Sequence, residues 1–257
     1  MLRTLWTAKS GMNANQEKLD AISNNLANST TIGYKKAEVG FQDLLTESLD
    51  RKGYAINNKE SVIGTGIKTG EWYRDNSQGQ LMETLRSTDI AIDGTGYFRI
   101  ISSNGESAYT RDGAFAVDGA GSLVDARGNK LDIQYANGFS SDNVKFTKDN
   151  FLIDKEGSVH LKQNDTFLKI GEIPVYSAVG DKAFVSIGDN LFQPVNGTEV
   201  FRTRNANLSQ GFTEGSNVDI AEEFADMIVT QRSFELSSRG VKTADEMWGM
   251  VNNLRAR

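Results

Sequence analysis

The chain has 257 residues, a net charge of −6, one histidine and no cysteine. Acidic and basic residues are interspersed, which excludes the basic footprint of a nucleic-acid binder, and the lack of cysteine excludes disulfides and thiolate metal sites. No apolar run reaches membrane-spanning length, and Met1–Ser10 contains no unbroken apolar stretch of signal-peptide length.

The first predicted element is a helix from Leu2 to Asn28, roughly 40 Å long at 1.5 Å per residue. Met1, Leu5, Ala8, Met12, Leu19, Ile22 and Leu26 fall on alternating three- and four-residue steps, with Asn15 as a weak point in the line. So narrow a stripe is ordinarily buried against another helix. Asn24, Asn25 and Asn28 are poor helix formers crowded into the last turns. Two readings stand side by side there: a frayed, capped end, or amides that bond neighbouring helices in an assembly. Ser29-Thr30-Thr31-Ile32-Gly33 then gives a stop, β-branched residues followed by glycine.

From 37 to 80 the pattern is harder to assign. Phe41, Leu44, Leu45 and Leu49 fit a short amphipathic helix, and the polar stretch Arg51 to Gly70 reads as an extended, flexible connection. From 81 to 205 the period changes to two. Ile90 and Ile92, Phe98 and Ile100, Phe115 and Val117, and Val159 and Leu161 alternate with polar residues. Turn signals at Asp112-Gly113, Asp118-Gly119, Arg127-Gly128-Asn129, Glu156-Gly157 and Gly188-Asp189-Asn190 separate these runs. Short strands at close spacing with such turns predict an antiparallel sandwich or barrel-like domain.

The segment 206–257 carries the last predicted helix. Asp219 and Glu222 make a capping-box-like pair, and Glu222, Glu223 and Asp226 place negative charge at the positive end of the helix dipole. Ile220, Met227, Phe234, Val241 and Trp248 recur every seven residues, with Ala244 and Val251 alongside. Gly240 and Gly249 interrupt the helix at about 1 kcal/mol each relative to alanine. They mark either a close helix approach or plain weak points. The expected fold class is therefore α+β, with N- and C-terminal helices pairing as a coiled-coil-like domain and a central antiparallel β-rich domain. Four parts follow: an N-terminal helix (1–36), an extended connector (37–80), the β-rich domain (81–205) and a C-terminal helix packing on the first (206–257).

Little in the sequence nominates chemistry. Gly94-Thr95-Gly96 has Arg99 where a dinucleotide loop needs its third glycine, and a strand follows where a helix is required. Asp154-Lys155-Glu156-Gly157 has the wrong spacing for a calcium loop and fits a hairpin turn. His160 is alone, so multi-histidine metal sites are excluded, and no nucleophile-elbow motif lies near it for a Ser-His-Asp triad. A carboxylate pair for glycoside chemistry is a three-dimensional property, and no particular pair is nominated. The expected inventory is no catalytic residue, no cofactor, no metal and no small-molecule substrate. The rival reading is an enzyme or carbohydrate-binding module whose helices merely dimerise it.

Ser23-Asn-Asn-Leu-Ala-Asn28 followed by Thr31-Ile-Gly33-Tyr34-Lys35 resembles the N-terminal signature of the flagellar rod and hook axial proteins of bacteria. Ile92-Asp-Gly94-Thr-Gly96-Tyr97-Phe98 and Ala108-Tyr-Thr110-Arg111-Asp112-Gly113-Ala-Phe115 are similar to the family's central motifs. Gly215-Ser216-Asn217-Val218-Asp219, leading into Met227, Gln231, Arg232 and Phe234, is similar to its C-terminal helix. Trp6, Lys9, Met12 and Phe41-Gln-Asp43-Leu44-Leu45 look most like the distal-rod branch. The stretch after Leu49 looks shorter than in that branch, which keeps the proximal rod, or a hook-type relative, as the alternative.

The resemblance implies a structural subunit exported through the flagellar secretion apparatus without a cleaved signal, located in the basal body outside the cytoplasmic membrane. Its implied partners are other copies of itself and other rod and hook axial proteins, stacked helically into a hollow shaft. It also implies terminal helices that line the tube and order on assembly. The assembly residues expected on this basis are Leu5, Met12, Leu19, Ile22, Asn25, Leu26, Asn28, Phe224, Met227, Phe234, Val241 and Trp248.

Overall fold

A computed structural model describes residues 2–48, 62–102, 104–141, 143–163, 166–180 and 182–255. It is an α+β protein of two units. One comprises 1–27, 37–73 and 219–257; the other comprises 28–36 and 74–218.

The first unit is built on two helices, α1 (Leu2–Ala27) and α2 (Ile220–Arg255). The predicted start of α2 is realised, since Asp219 Oδ1 accepts the backbone N–H of Ala221 at 2.8 Å and of Glu222 at 3.3 Å. Two otherwise unpaired donors of the first turn are thereby satisfied. α1 and α2 pack against each other in antiparallel order. Ala8 meets Gly240 near one end, Gly11 meets Ser237, Lys18 pairs with Asp226 at 3.2 Å, and Asn25 meets Glu223 at the other end. From Ala8 to Asn25 is 17 residues, as it is from Gly240 back to Glu223. The two helices therefore advance past each other at the same pitch over about 25 Å.

The two glycines of α2 now separate. A methyl group at Gly240 would stand 3.3 Å from the Ala8 Cβ, whereas one at Gly249 would meet nothing within 4 Å. Gly240 marks a close approach and Gly249 does not. No helix among the described residues is long and apolar enough to cross a membrane.

Of the residues expected in a short helix, Phe41 lies instead in a strand, Ala37–Asp43, paired with Ile67–Arg74, and Leu44 and Leu45 follow it outside regular structure. Val39 and Phe41, β-branched and aromatic, fit an extended chain. Leu49 and most of the predicted flexible connection, 49–61, lie outside the described residues. Beyond them the chain is again extended, with Val62–Gly64 pairing antiparallel to Thr46–Ser48.

The second unit is antiparallel β throughout its described pairings. A nine-stranded sheet is centred on Tyr97–Ile101, which pairs with Ser107–Thr110, Lys130–Leu131 and Val175–Ala178. A four-stranded sheet contains Phe151–Ile153, Ser158–Gln163 and Thr166–Glu172. Two small pairs complete it: Ile90–Asp93 with Asn207–Gln210, and Leu81–Glu83 with Phe212–Glu214. The 207–214 strands lie in the segment expected to be C-terminal helix, which begins later. Leu208 alternates with polar neighbours and is buried against the β core, as a strand in a sheet requires.

The predicted turns form as their residues dictate. Asp118 Oδ1 accepts the N–H groups of Ala120 and Ser122. Asp189 and Asn190, both left-handed at φ 56° and 58°, make the two-residue connection between Phe184–Gly188 and Leu191–Pro194. Asparagine and aspartate tolerate that conformation best among non-glycine residues. The alternating residues named from sequence, Ile90, Ile92, Phe98, Ile100, Phe115 and Val159, lie in one buried cluster.

Two substitutions should move the first unit in opposite directions. Gly249→Ala gains helix propensity with no steric contact and should stabilise α2 by about 1 kcal/mol. Gly240→Leu must force Ala8 away and should lower helical content. Circular dichroism at 222 nm during thermal unfolding would check both.

Candidate functional site

The packed face of the helix pair is narrower and smaller in side chains than its apolar periodicity implied. In α1 the buried positions are Gly11, Ala14, Asn15, Ala21, Ile22 and Asn25; Leu5, Met12, Leu19 and Leu26 are half-buried beside them. In α2 the inward line is Glu223, Met227, Thr230, Phe234, Ser237, Val241 and Ala244, of which Glu223, Thr230 and Ala244 are fully buried. Met227, Phe234 and Val241 are half-buried, Asn28 is half-buried, and Phe224 and Trp248 are exposed.

The polar half of this line is internally satisfied. Thr230 Oγ1 donates to the Asp226 carbonyl at 2.7 Å and Ser237 Oγ to the Ser233 carbonyl at 2.9 Å. Asn15 Nδ2 donates to the Gly11 carbonyl at 2.7 Å. Each side chain turns its polar atoms onto its own helix and can face the other helix at low desolvation cost. Asn25 is engaged within the chain. Its Nδ2 donates to the Ala37 carbonyl at 3.0 Å and to Glu223 Oε2 at 3.1 Å, and its Oδ1 accepts the Ala37 N–H at 2.8 Å. Asn28 accepts from Thr31, through Oδ1 at 3.2 Å and through its carbonyl at 3.0 Å, and so begins a turn.

Among the residues the pair leaves outside are several large apolar ones. Along α2, Phe224 is 53% exposed, Ile228 60%, Leu236 65% and Leu254 78%. Between the helices and the strands at Gly64 and Ile67 runs a groove walled by Thr7, Ala8, Gly11, Leu236 and Gly240. Exposed apolar side chains beside an apolar groove are suited to burial rather than to acid–base or metal chemistry.

In the second unit a buried ion cluster joins the two chain segments that lead to the helices. Lys35 and Glu214 are each 1% exposed and Arg111 is 3% exposed. Glu214 Oε1 accepts from Lys35 Nζ at 2.7 Å and from the Gly79 N–H at 2.9 Å, while Oε2 accepts from Arg111 Nη1 at 2.8 Å. Lys35 Nζ also donates to the Ser77 carbonyl at 2.6 Å. Burial, followed by the adjacent Arg111 charge, pulls the Lys35 pKa below the ordinary lysine value, against the opposite pull of Glu214.

The backbone around the cluster is equally constrained. Gly33 donates its N–H to the Glu214 carbonyl at 2.8 Å and is left-handed at φ 68°. A Cβ there would lie 2.6 Å from the Arg111 carbonyl carbon, so glycine is required on two counts. Lys35 and Arg111 both lie in stretches that carry the family resemblance. No periodicity or spacing in the sequence pairs either with Glu214, and all three were missed as a set.

Replacing Glu214 with alanine would leave two buried cations without their carboxylate and should cost about 3–5 kcal/mol. Removing Glu172, whose partners Lys169 and Arg202 lie at the surface, should cost less than about 1 kcal/mol. Urea unfolding of the two variants would check the contrast.

Three family models match the chain. "Flagella basal body rod protein" matches residues 5–35, "Flagellar hook protein FlgE/F/G D1 domain" 91–161 and "Flagellar basal body rod FlgEFG protein C-terminal" 209–254. Flagellar basal-body rod protein FlgG of Borreliella burgdorferi is 34% identical over 99% of both chains. FlgG of Bacillus subtilis is 34% identical over 99% of this chain and 100% of its own. The flagellar hook-basal body complex protein FlhP of Bacillus subtilis is 30% identical over 99% of this chain and 100% of its own. With such identity sustained from one end to the other, this chain belongs to the flagellar basal-body rod protein family.

Proposed function

We propose that the chain is a structural subunit of the distal rod. In this reading it polymerises helically into a hollow shaft that transmits torque to the hook. The observation that carries the reading is the pairing of helices from opposite ends of the sequence through small and self-satisfied residues, which leaves large apolar side chains on the outside of α2. A pair of this kind buries little apolar surface by itself. Its outer face needs other protein surfaces, and repeated heterologous contacts between identical subunits build an open helix with no further chemistry required. Leu5, Met12, Leu19, Leu26, Phe224 and Trp248 would gain burial in the assembled shaft, and α1 and α2 would act together as a coiled-coil-like element.

The same reading takes the subunit to the basal body through the flagellar export apparatus without a cleaved signal, with other rod and hook proteins as neighbours. The similarity to FlhP over the whole chain favours one alternative, a hook–basal-body component other than the distal rod. The position of a labelled subunit in isolated basal bodies separates the two.

Deleting 1–27 together with 219–257 should leave a soluble, folded β-rich monomer that does not polymerise. Extending the N-terminal cut through residue 36 removes Gly33 and Lys35 and should unfold it. If the shorter deletion also unfolds the body, the helices belong to its core and the reading fails. In the full chain, Ile228→Asp changes a residue that is 60% exposed. It should abolish swimming in a soft-agar assay while leaving the melting temperature of the purified chain within a few degrees. Leu19→Asp should likewise abolish motility, and normal swimming in both variants counts against the proposal.

A further inference from the structure

The buried cluster of the second unit carries an excess of positive charge. Lys35 and Arg111 share the single carboxylate of Glu214. Arg74 brings a third cation, with Nη1 on the Lys35 carbonyl at 2.7 Å and its guanidinium over the Tyr34 ring. Asp75, hydrogen-bonded by the N–H and hydroxyl of Ser77 at 2.9 and 2.8 Å, adds a second carboxylate whose charge acts on Lys35, so three cations stand against two carboxylates. Buried charge is ordinarily balanced by a partner within reach.

Arg111 also has an unused donor. Nη1 reaches Glu214 and the Ile92 carbonyl, and Nη2 reaches the Gly94 carbonyl at 2.6 Å, but Nε is buried with no hydrogen-bond partner among the described residues. The Arg111 side chain also borders a cavity of about 240 Å³, walled with it by Arg74, Asn76, Thr95, Tyr97 and Ser177, from which Nε itself is closed off. That is several times the roughly 30 Å³ share of one water in the liquid. Two guanidiniums supply donors and no acceptor, and the hydroxyls of Thr95 and Ser177 can turn to donate. The Tyr97 hydroxyl is committed to Asn76 Oδ1 at 3.0 Å.

We propose that this cavity binds a small oxyanion of the phosphate, sulfate or short carboxylate class between Arg74 and Arg111. Guanidinium forks match such anions in shape as well as charge. The bound anion would balance the one positive charge by which Lys35, Arg74 and Arg111 exceed Glu214 and Asp75.

The test is titration of the purified full chain with inorganic phosphate by calorimetry, against sodium chloride at equal ionic strength, with melting temperatures followed in parallel. Saturable binding at one site per chain, with a saturating rise in melting temperature, is the expected result. Arg74→Gln, which leaves the Lys35–Glu214–Arg111 contacts in place, should weaken phosphate binding about tenfold, the loss of one charge-assisted hydrogen bond. Thr95→Ala with Ser177→Ala should weaken it in the same direction and serves if Arg74→Gln does not fold. Phosphate that acts no differently from chloride in the wild-type chain overturns the proposal. So does unchanged affinity in the variants, which would reduce the effect to the general action of phosphate on protein hydration.

Discussion

The carboxylate of Glu214 is the point on which the β-rich unit depends. One oxygen takes the Lys35 ammonium and the Gly79 N–H; the other takes the Arg111 guanidinium. These residues come from the start, the middle and the end of the unit's chain. Around them, Asn217 donates its N–H to the Tyr34 carbonyl, and its side chain accepts from Lys36 and donates to the Asp75 carbonyl. The place where the chain enters this unit is thus bonded to the place where it leaves. Buried ion pairs add little net stability compared with a packed apolar core, because desolvation offsets much of the attraction. Their effect is on uniqueness: few other arrangements satisfy two buried cations, one carboxylate and this set of backbone groups at once.

The helical unit is held together by a different constraint, close approach. Gly11 against Ser237 and Ala8 against Gly240 allow the backbones to come near, so the contact is made by small groups over a long line. Long apolar side chains on both inward faces would push the helices apart. A seam of this kind fixes register, since the larger half-buried residues Met227, Phe234 and Val241 fit on one side of the small ones. It contributes modest apolar burial, and helices joined in that way draw much of their stability from whatever covers their outer faces.

The sequence made some of this plain and hid the rest for identifiable reasons. The start of α2 was legible because Asp219 is a cap, a local property of one residue. The strands around Ile90, Phe98, Phe115 and Val159 were legible because alternation survives wherever one face of a sheet is buried. Half of the α2 seam was not, since Glu223, Thr230 and Ser237 are polar and a search for apolar periodicity passes over them. In α1 the same bias shifts the apparent stripe towards Met12, Leu19 and Leu26, while Gly11, Ala14 and Ala21 occupy the tighter positions. The strand at Phe41 was not legible, because its apolar residues are few and its partner strand begins only at Ile67. The Lys35–Glu214–Arg111 set is invisible in one dimension: 179 residues separate Lys35 from Glu214, and 103 separate Arg111 from it.

On the proposed reading, the division between inner and outer faces explains why α2 leaves large apolar residues exposed while Glu223, Thr230 and Ser237 stand among Met227, Phe234 and Val241 inside. If Phe224, Ile228 and Leu236 also faced α1, the pair would bury more apolar surface by itself and expose less for other subunits. By spending small and self-satisfied side chains on the intrachain contact, it keeps Phe224, Ile228 and Leu236 for surfaces outside the pair. Fully burying each such side chain is worth about 1.5–3 kcal/mol. A few per subunit, repeated along a filament, add favourable apolar burial at every contact between subunits. The stiffness that a shaft needs would then come from contacts that exist only between subunits. Substitutions on the outer face would spare the fold and break the function.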